Sequence, residues 1–398
     1  MKLKDVKARK IFNSRGQEVV EVIINDSYGS APFGASTGGK EVAAIPQGAE
    51  KAVSVFNSKC SKRLKGLEVG KFDDLKKVEE QLKDDFGFIG GNTVLATEYA
   101  ILRALARDKG KPIWKVLNPR AKGMPMPLCN VIGGGAHAKK GLDVQEVEIM
   151  PKTKSFYEAV KISTEIHKQI GKDLMLKDKF FTGGKTDEGA WTTNLSAIEI
   201  FDYLKGLINR SEKKYGVEIK TGIDLAASQL WKKKDKKYFW YHYAAKMRKL
   251  TMDREKHIKL VKDFSDRFGL WYLEDPVEEN DFEGYREIQN EFPDKLVVVD
   301  DATCTNPDIL KEVIKMKAAK GIIIKPNQVG SLIKTKETFD LAKKNGITPV
   351  VSHRSGETND PIVSHLAKAW EAKIVKFGIS GGERMAKLNE LIRIEQGD

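Results

Sequence analysis

The chain predicts an α/β protein, a C-terminal β/α barrel preceded by a smaller α+β domain. Three observations point there. First, six short apolar runs each end on a polar residue or lysine: Gly222-Ile223-Asp224, Trp271-Tyr272-Leu273-Glu274, Val297-Val298-Val299-Asp300, Ile322-Ile323-Ile324-Lys325, Val350-Val351-Ser352-His353 and Ile374-Val375-Lys376. A continuous apolar run is how a parallel strand buried on both faces reads. Second, helical stretches lie between most of these runs, and alternation of this kind suggests a barrel. Third, a proline-rich stretch, Asn118-Pro119-Arg120 followed by Met124-Pro125-Met126-Pro127, interrupts the pattern upstream.

Taken in order, the first strand is expected over residues 19–25, which alternate and are rich in β-branched side chains. Gly34-Ala35-Ser36-Thr37-Gly38-Gly39 then reads as a loop of small residues. Residues 98–106 carry apolar side chains at helical spacing, and 113–117 form a second, shorter helix candidate. Proline cannot continue a helix, so a domain boundary is expected near residue 122, dividing the chain into 1–122 and 123–398. Two glycine-rich loops follow: Gly133-Gly134-Gly135-Ala136-His137-Ala138, with Gln145-Glu146 after it, and Gly183-Gly184-Lys185-Thr186-Asp187-Glu188-Gly189. Such loops let backbone approach a ligand closely, but neither has the spacing of a phosphate-binding P-loop.

Bulk properties bound the function. The 398 residues are 40% hydrophobic and 31% charged, an ordinary globular balance with room for two domains. No apolar run approaches the roughly 18 residues of a membrane span, and the N-terminus has no apolar signal core. The three cysteines are unclustered, which suggests a reducing compartment, the cytoplasm by default, and no zinc site. The net charge of +13 suits either nucleic acid or an anionic substrate. The densest basic run, Lys232-Lys233-Lys234-Asp235-Lys236-Lys237, precedes Tyr238-Phe239-Trp240-Tyr241. Basic residues beside aromatics can bind single strands. The plainer expectation is a solvated hairpin tip whose second strand supplies the aromatics.

In such barrels the strand C-termini carry the active site. Asp224, Glu274 and Asp300 would offer three carboxylates from three strand ends, a donor set that favours Mg²⁺ over zinc. Singly, each acid would read as a helix cap. In register opposite Lys325 and Lys376 they read as a metal site facing a base. Lys325, at the end of a buried strand, is costly to hold charged unless paired, and its pKa should fall beside bound metal. That makes it a candidate general base, with a salt bridge to a neighbouring carboxylate as the plainer role. His353-Arg354-Ser355-Gly356-Glu357 reads as an anion cradle. Glu188 and Glu146, if close, would raise one another's proton affinity so that one can act as an acid near neutral pH.

These residues resemble the enolase family along nearly the whole chain. The marks are Ala8-Arg9-Lys10-Ile11-Phe12-Asn13-Ser14-Arg15-Gly16, Gly34-Ala35-Ser36-Thr37-Gly38, Leu273-Glu274-Asp275-Pro276, Asp300-Asp301, Lys325-Pro326-Asn327-Gln328, Ser352-His353-Arg354-Ser355-Gly356-Glu357-Thr358 and Ala386-Lys387-Leu388-Asn389. The resemblance implies reversible dehydration of 2-phosphoglycerate to phosphoenolpyruvate with two Mg²⁺ ions, the second bound with substrate, and an atypical barrel with one antiparallel strand. By the same resemblance, Asp224, Glu274 and Asp300 hold the first metal, and Ser36 closes over the site and joins the second. Lys325 is the base that takes the C2 proton. Glu188 is the acid for the C3 hydroxyl, with Glu146 beside it. Arg354 and Ser355 bind phosphate, His137 and His353 line the pocket, and Lys376 holds the substrate carboxylate. Glu21 and Arg393 match a pair that bridges the family's dimer.

The chain departs from the family pattern at Asn13, in 43–48 after the Ser36 loop, around Thr186 to Ala190, and at Gln229. None of these removes a residue assigned chemistry. They bear on loop closure, turnover and subunit contacts. The altered loops and basic surface also motivate an alternative, a catalytically impaired relative serving as a binding or scaffold protein. The intact acid, base and metal positions argue against it, since a scaffold needs none of them.

Overall fold

The computed structural model describes residues 1–34, 38–138, 141–245 and 249–397, so the predicted loop serine, Ser36, lies outside the described residues. The N-terminal part is a three-stranded antiparallel sheet, β1 (Val6–Phe12), β2 (Glu18–Ile24) and β3 (Ser27–Ser30). The strand expected over 19–25 is β2, and it is not the first. β1 precedes it and escapes a hydrophobicity reading because only Val6 and Ala8 of its seven residues are buried. The helix Phe86–Asp108 packs on this sheet and contains the run 98–106. It sits so close to β3 that a Cβ on Gly29 would lie 2.5 Å from the Ala96 carbonyl oxygen, which is why glycine stands there. The short helix Ile113–Leu117 is also present.

Eight strands close the barrel: β4 (Met126–Gly133), β5 (Glu146–Pro151), β6 (Ile219–Asp224), then β10 (Tyr272–Glu274), β11 (Leu296–Val299), β12 (Gly321–Ile324), β13 (Thr348–Ser352) and β14 (Ile374–Lys376). All six predicted runs fall on barrel strands. β5 alone runs antiparallel to its neighbours, as the family resemblance implied. β4 and β5 complete the ring but were not legible as strands, because Pro125 and Pro127 mimic a loop. Proline is tolerated at a strand's first residues. Here β4 begins with the Met126 N–H donating to the Lys373 carbonyl at 2.8 Å.

The barrel interior is filled by Leu128, Met150, Tyr272, Val298, Ile323, Val350 and their neighbours, so it is a packed floor and not a pore. The other strand face joins the large core shared with the surrounding helices. Between β6 and β10 the basic run forms a small sheet of β7 (Trp231–Lys232), β8 (Lys237–Trp240) and β9 (Leu250–Met252). Lys233 and Lys234 are exposed at its tip. Tyr238 and Trp240 are buried beneath, with Tyr238 stacked on His257 at 3.6 Å. Tyr238 and Trp240 therefore serve packing from the second strand, as the hairpin expectation had it, while Tyr241 is exposed. Among the described residues no helix is long and apolar enough to cross a membrane. The three cysteines are buried and unpaired.

Candidate active site

Strand register brings the acids together. Asp224 on β6 pairs with Glu274 on β10, and across the antiparallel seam Glu146 on β5 pairs with Asp224. Glu274 lies level with Val298, and Asp300 follows two residues on, which returns it to the same face. Lys376, from the end of β14, is buried among these acids. Its Nζ lies 2.8 Å from Glu274, 3.2 Å from Asp224, 3.3 Å from Glu146 and 3.5 Å from Glu148. Burial alone would lower the Lys376 pKa, but four carboxylates around one ammonium hold it well above the usual lysine range. For Glu274, burial and the neighbouring Asp224 push the carboxyl well up.

Asp300 is held from three sides. Lys325 Nζ forms a short ion pair with its Oδ2, and Gln328 Nε2 donates to Oδ1 at 2.9 Å. Asp275 accepts the backbone N–H groups of Asp300 and Asp301, each at 2.9 Å, and the Tyr285 hydroxyl at 2.6 Å. Burial favours neutral forms of both partners, but the ion pair wins: Asp300 is lowered and Lys325 is raised. Lys325 is thus an ammonium paired to a predicted metal ligand. The fall expected for it beside bound metal concerns a different charge state of the site.

A second cluster faces this one. The ligand atoms of His137, Glu146 and Glu188 lie within 4.8 Å of one another. The Glu188 carboxylate is 3.3 Å from His353 Nε2 and accepts from Asn130 Nδ2 at 3.4 Å. Burial pushes Glu188 up, but His353 and His137 hold it well below the usual carboxylate range. Glu146 goes the other way: burial and the nearby Glu188 raise it strongly. The two carboxyls are thus driven in opposite directions, Glu146 toward its neutral form and Glu188 toward its charged form.

The residues of the predicted anion cradle are also held by neighbours. Arg354 makes a bidentate pair with Glu41 (both contacts 3.0 Å) and donates to Asn327 Oδ1 at 3.0 Å. One small cavity is lined by His137, Glu146, Glu188, Lys325, His353, Arg354, Ser355 and Lys376, with Gln145 and Ser352. The structure therefore gathers eight of the predicted residues around a single space. Asp224, Glu274 and Asp300 stand just behind it through Lys376 and Lys325.

The acids suit a hard divalent cation. Their donors are all carboxylate oxygens, and among the described residues Glu274 Oε1 is buried without a hydrogen-bond partner. In this structure Asp224, Glu274 and Asp300 are paired to Lys376 and Lys325 and do not form a group with all ligand atoms within 4.8 Å of one another, whereas Asp275, Asp300 and Asp301 do. Asp275 is spent on backbone N–H groups and Tyr285, so it is better suited to holding Asp300 than to ligating.

Residues 121–397 match the sequence model of the family described as "Enolase, C-terminal TIM barrel domain", and residues 3–117 match "Enolase, N-terminal domain". The chain belongs to the enolase family. It is 40% identical to a protein named "Enolase" from Archaeoglobus fulgidus, covering 100% of this chain and 98% of that one. Its identity to proteins of the same name from Methanosphaera stadtmanae and Methanothermobacter thermautotrophicus is 39% in each case. These matches cover 99% of this chain and 97% and 96% of the relatives.

Enolase-family motifs contained residues whose importance the sequence did not reveal. Asp275 sits inside the motif Leu273-Glu274-Asp275-Pro276 but looks like a turn acid, and only its φ of 41° and its aim at the next strand show it as the holder of Asp300. Gln145 donates to Asp224 at 3.2 Å and accepts from Gln229 at 2.7 Å, so Gln229 braces Asp224 through an amide relay. Glu41 and Arg384 reach the site from outside the barrel strands, and no apolar run ends on either.

Proposed function

We propose that this chain is a phosphopyruvate hydratase that interconverts 2-phosphoglycerate and phosphoenolpyruvate. The observation carrying this is that one small cavity is lined by Lys325 and by the neighbouring carboxyls Glu188 and Glu146. Elimination of water across two adjacent carbons requires that arrangement: a base for the C2 proton and an acid for the C3 hydroxyl. Lys325 takes the first role and Glu188 the second, with Glu146 storing the proton in the resting site. A lysine base paired with Mg²⁺ is a known property of this superfamily.

Lys376 faces the substrate carboxylate, which gathers charge as the C2 proton leaves. Arg354 and Ser355 bind the phosphate, and His137 and His353 border the acid pair. Asp224, Glu274 and Asp300 would hold one Mg²⁺, and Ser36 would join a second that arrives with substrate. Bound Mg²⁺ supplies positive charge against the carboxylate of the deprotonated substrate. Binding substrate requires Arg354 to loosen its hold on Glu41, which ties phosphate arrival to the segment that follows Ser36.

The same proposal includes the division of the chain at residue 122, a cytoplasmic location, and a homodimer or higher homo-oligomer with a dimer contact bridged by Glu21 and Arg393. Glu21 is now held by Arg9 and Arg393 by Glu390, so the bridge exchanges partners within each subunit. Replacing Lys325 by Ala tests the base directly. Exchange of the substrate C2 proton with solvent should disappear, and persistent exchange at the wild-type rate would show that another group removes it.

A further inference from the structure

We propose that Arg384 is a positioning residue for the dehydration: it fixes the tautomer of His353 and so aims an N–H at the acid Glu188. Arg384 lies in the first turn of the helix Gly382–Gln396 and is completely buried. Its Nη1 contacts His353 Nδ1 at 3.1 Å and donates to the Arg354 carbonyl. Its Nη2 donates to the carbonyls of Ser355 at 2.6 Å and Asp187 at 2.9 Å. One guanidinium thus joins the phosphate-side loop, 353–355, to the loop that carries Glu188.

The tautomer follows from donor counting. A guanidinium has only donors and stays charged in proteins. His353 Nδ1 must therefore accept, and the ring's single proton is on Nε2, 3.3 Å from Glu188 Oε2. A protonated ring would place an N–H against the guanidinium. The ring is therefore a neutral donor aimed at the acid, in keeping with the lowering of its pKa to about 4, chiefly by burial.

The packing leaves little freedom for another arrangement. A Cβ on Gly378 would lie 2.9 Å from the Glu188 carbonyl oxygen, 3.1 Å from His353 Cε1 and 3.3 Å from Arg384 Cδ. Gly189, beside the acid, would place a Cβ 2.1 Å from the Ser380 carbonyl oxygen. Arginine, histidine and acid loop meet at a point where only glycine backbone fits.

The catalytic meaning rests on the assignment of Glu188 as the acid, but the tautomer does not, and the test separates them. Nitrogen-15 spectra of histidine-labelled protein at pH 7, with His353→Gln used to assign the signal, report the tautomer without any turnover. The Nε2–H form is expected in the wild type, and an Nδ1–H or doubly protonated ring would overturn the proposal whether or not the protein makes phosphoenolpyruvate. In folded Arg384→Met, Nδ1 loses its donor, so a mixture with Nδ1–H should appear and kcat should fall on the order of 100-fold. An unchanged pure Nε2–H signal in that variant would show that Arg384 does not set the tautomer. Should Arg384→Met not fold, Arg384→Lys is read in the same way, and the wild-type spectrum alone still overturns the proposal if the ring is Nδ1–H or doubly protonated.

Discussion

Asp300 is held by Lys325, Gln328 and, through its backbone, Asp275. Asp275→Asn places an amide where two backbone N–H groups now find carboxylate oxygens, so Asp300 should lose its aim. Mg²⁺ affinity, followed by calorimetric titration, is expected to weaken about 10–100-fold. A second residue-scale prediction concerns His257, whose Nε2 meets the Pro276 carbonyl at 2.9 Å and whose Nδ1 meets the Trp240 N–H at 3.3 Å. Burial lowers its pKa to about 4. A group neutral in the fold but protonated in the unfolded chain contributes stability that is complete above an unfolded pKa of about 6.5 and is lost as pH falls toward 4. Relative to a folded His257→Gln variant, the wild type should lose on the order of 3 kcal/mol over that window, measured by denaturant unfolding. The strand-end acids and lysines were legible in the sequence because each closes an apolar run. Asp275 and Arg384 were not, because their roles are hydrogen bonds to groups on other elements and leave no periodic trace.

At the scale of elements, the apolar runs named six of the eight barrel strands because those strands are buried on both faces. β4 was masked by its prolines and β5 by the glycine loop and acids leading into it. β1 was masked by its charged outer face. The Glu188 loop makes an element-level prediction. Gly189 has a φ of 79° and no room for a side chain against Ser380. Gly189→Ala should cost at least about 1–2 kcal/mol in local conformation and displace Glu188, lowering kcat with the barrel still folded by circular dichroism. The β7–β8 hairpin predicts the opposite. Its exposed lysines are not part of the lining of the small cavity, although Lys233 borders a wider cleft with Ala136 and Asp301. Changing Lys232, Lys233 and Lys234 together to Ser should leave kcat within about twofold, as surface changes usually do. Salt-sensitive RNA binding that vanished with those lysines would give the hairpin a role beyond packing.

For the whole molecule, the sequence carried the barrel and its small partner domain, since both follow from patterns that repeat or break along the chain. The convergence of the two halves on one cavity was not visible from strand spacing alone. It depends on Glu41 reaching Arg354, and on the helix Gly382–Gln396 returning to clamp two loops. The proposed assembly has its own check. Arg393→Glu should shift a dimer toward monomer in sedimentation, and an unchanged mass would remove Glu21–Arg393 from the interface. Lys325 and the Glu188–Glu146 pair line one cavity, the proposed place of a metal-dependent dehydration. The direct measurement supplies 2-phosphoglycerate to purified protein with magnesium, then with excess chelator, and follows phosphoenolpyruvate. Steady product formation that stops on chelation and returns with added magnesium is the expected result. No product with magnesium present, or an equal rate with the chelator, would contradict it.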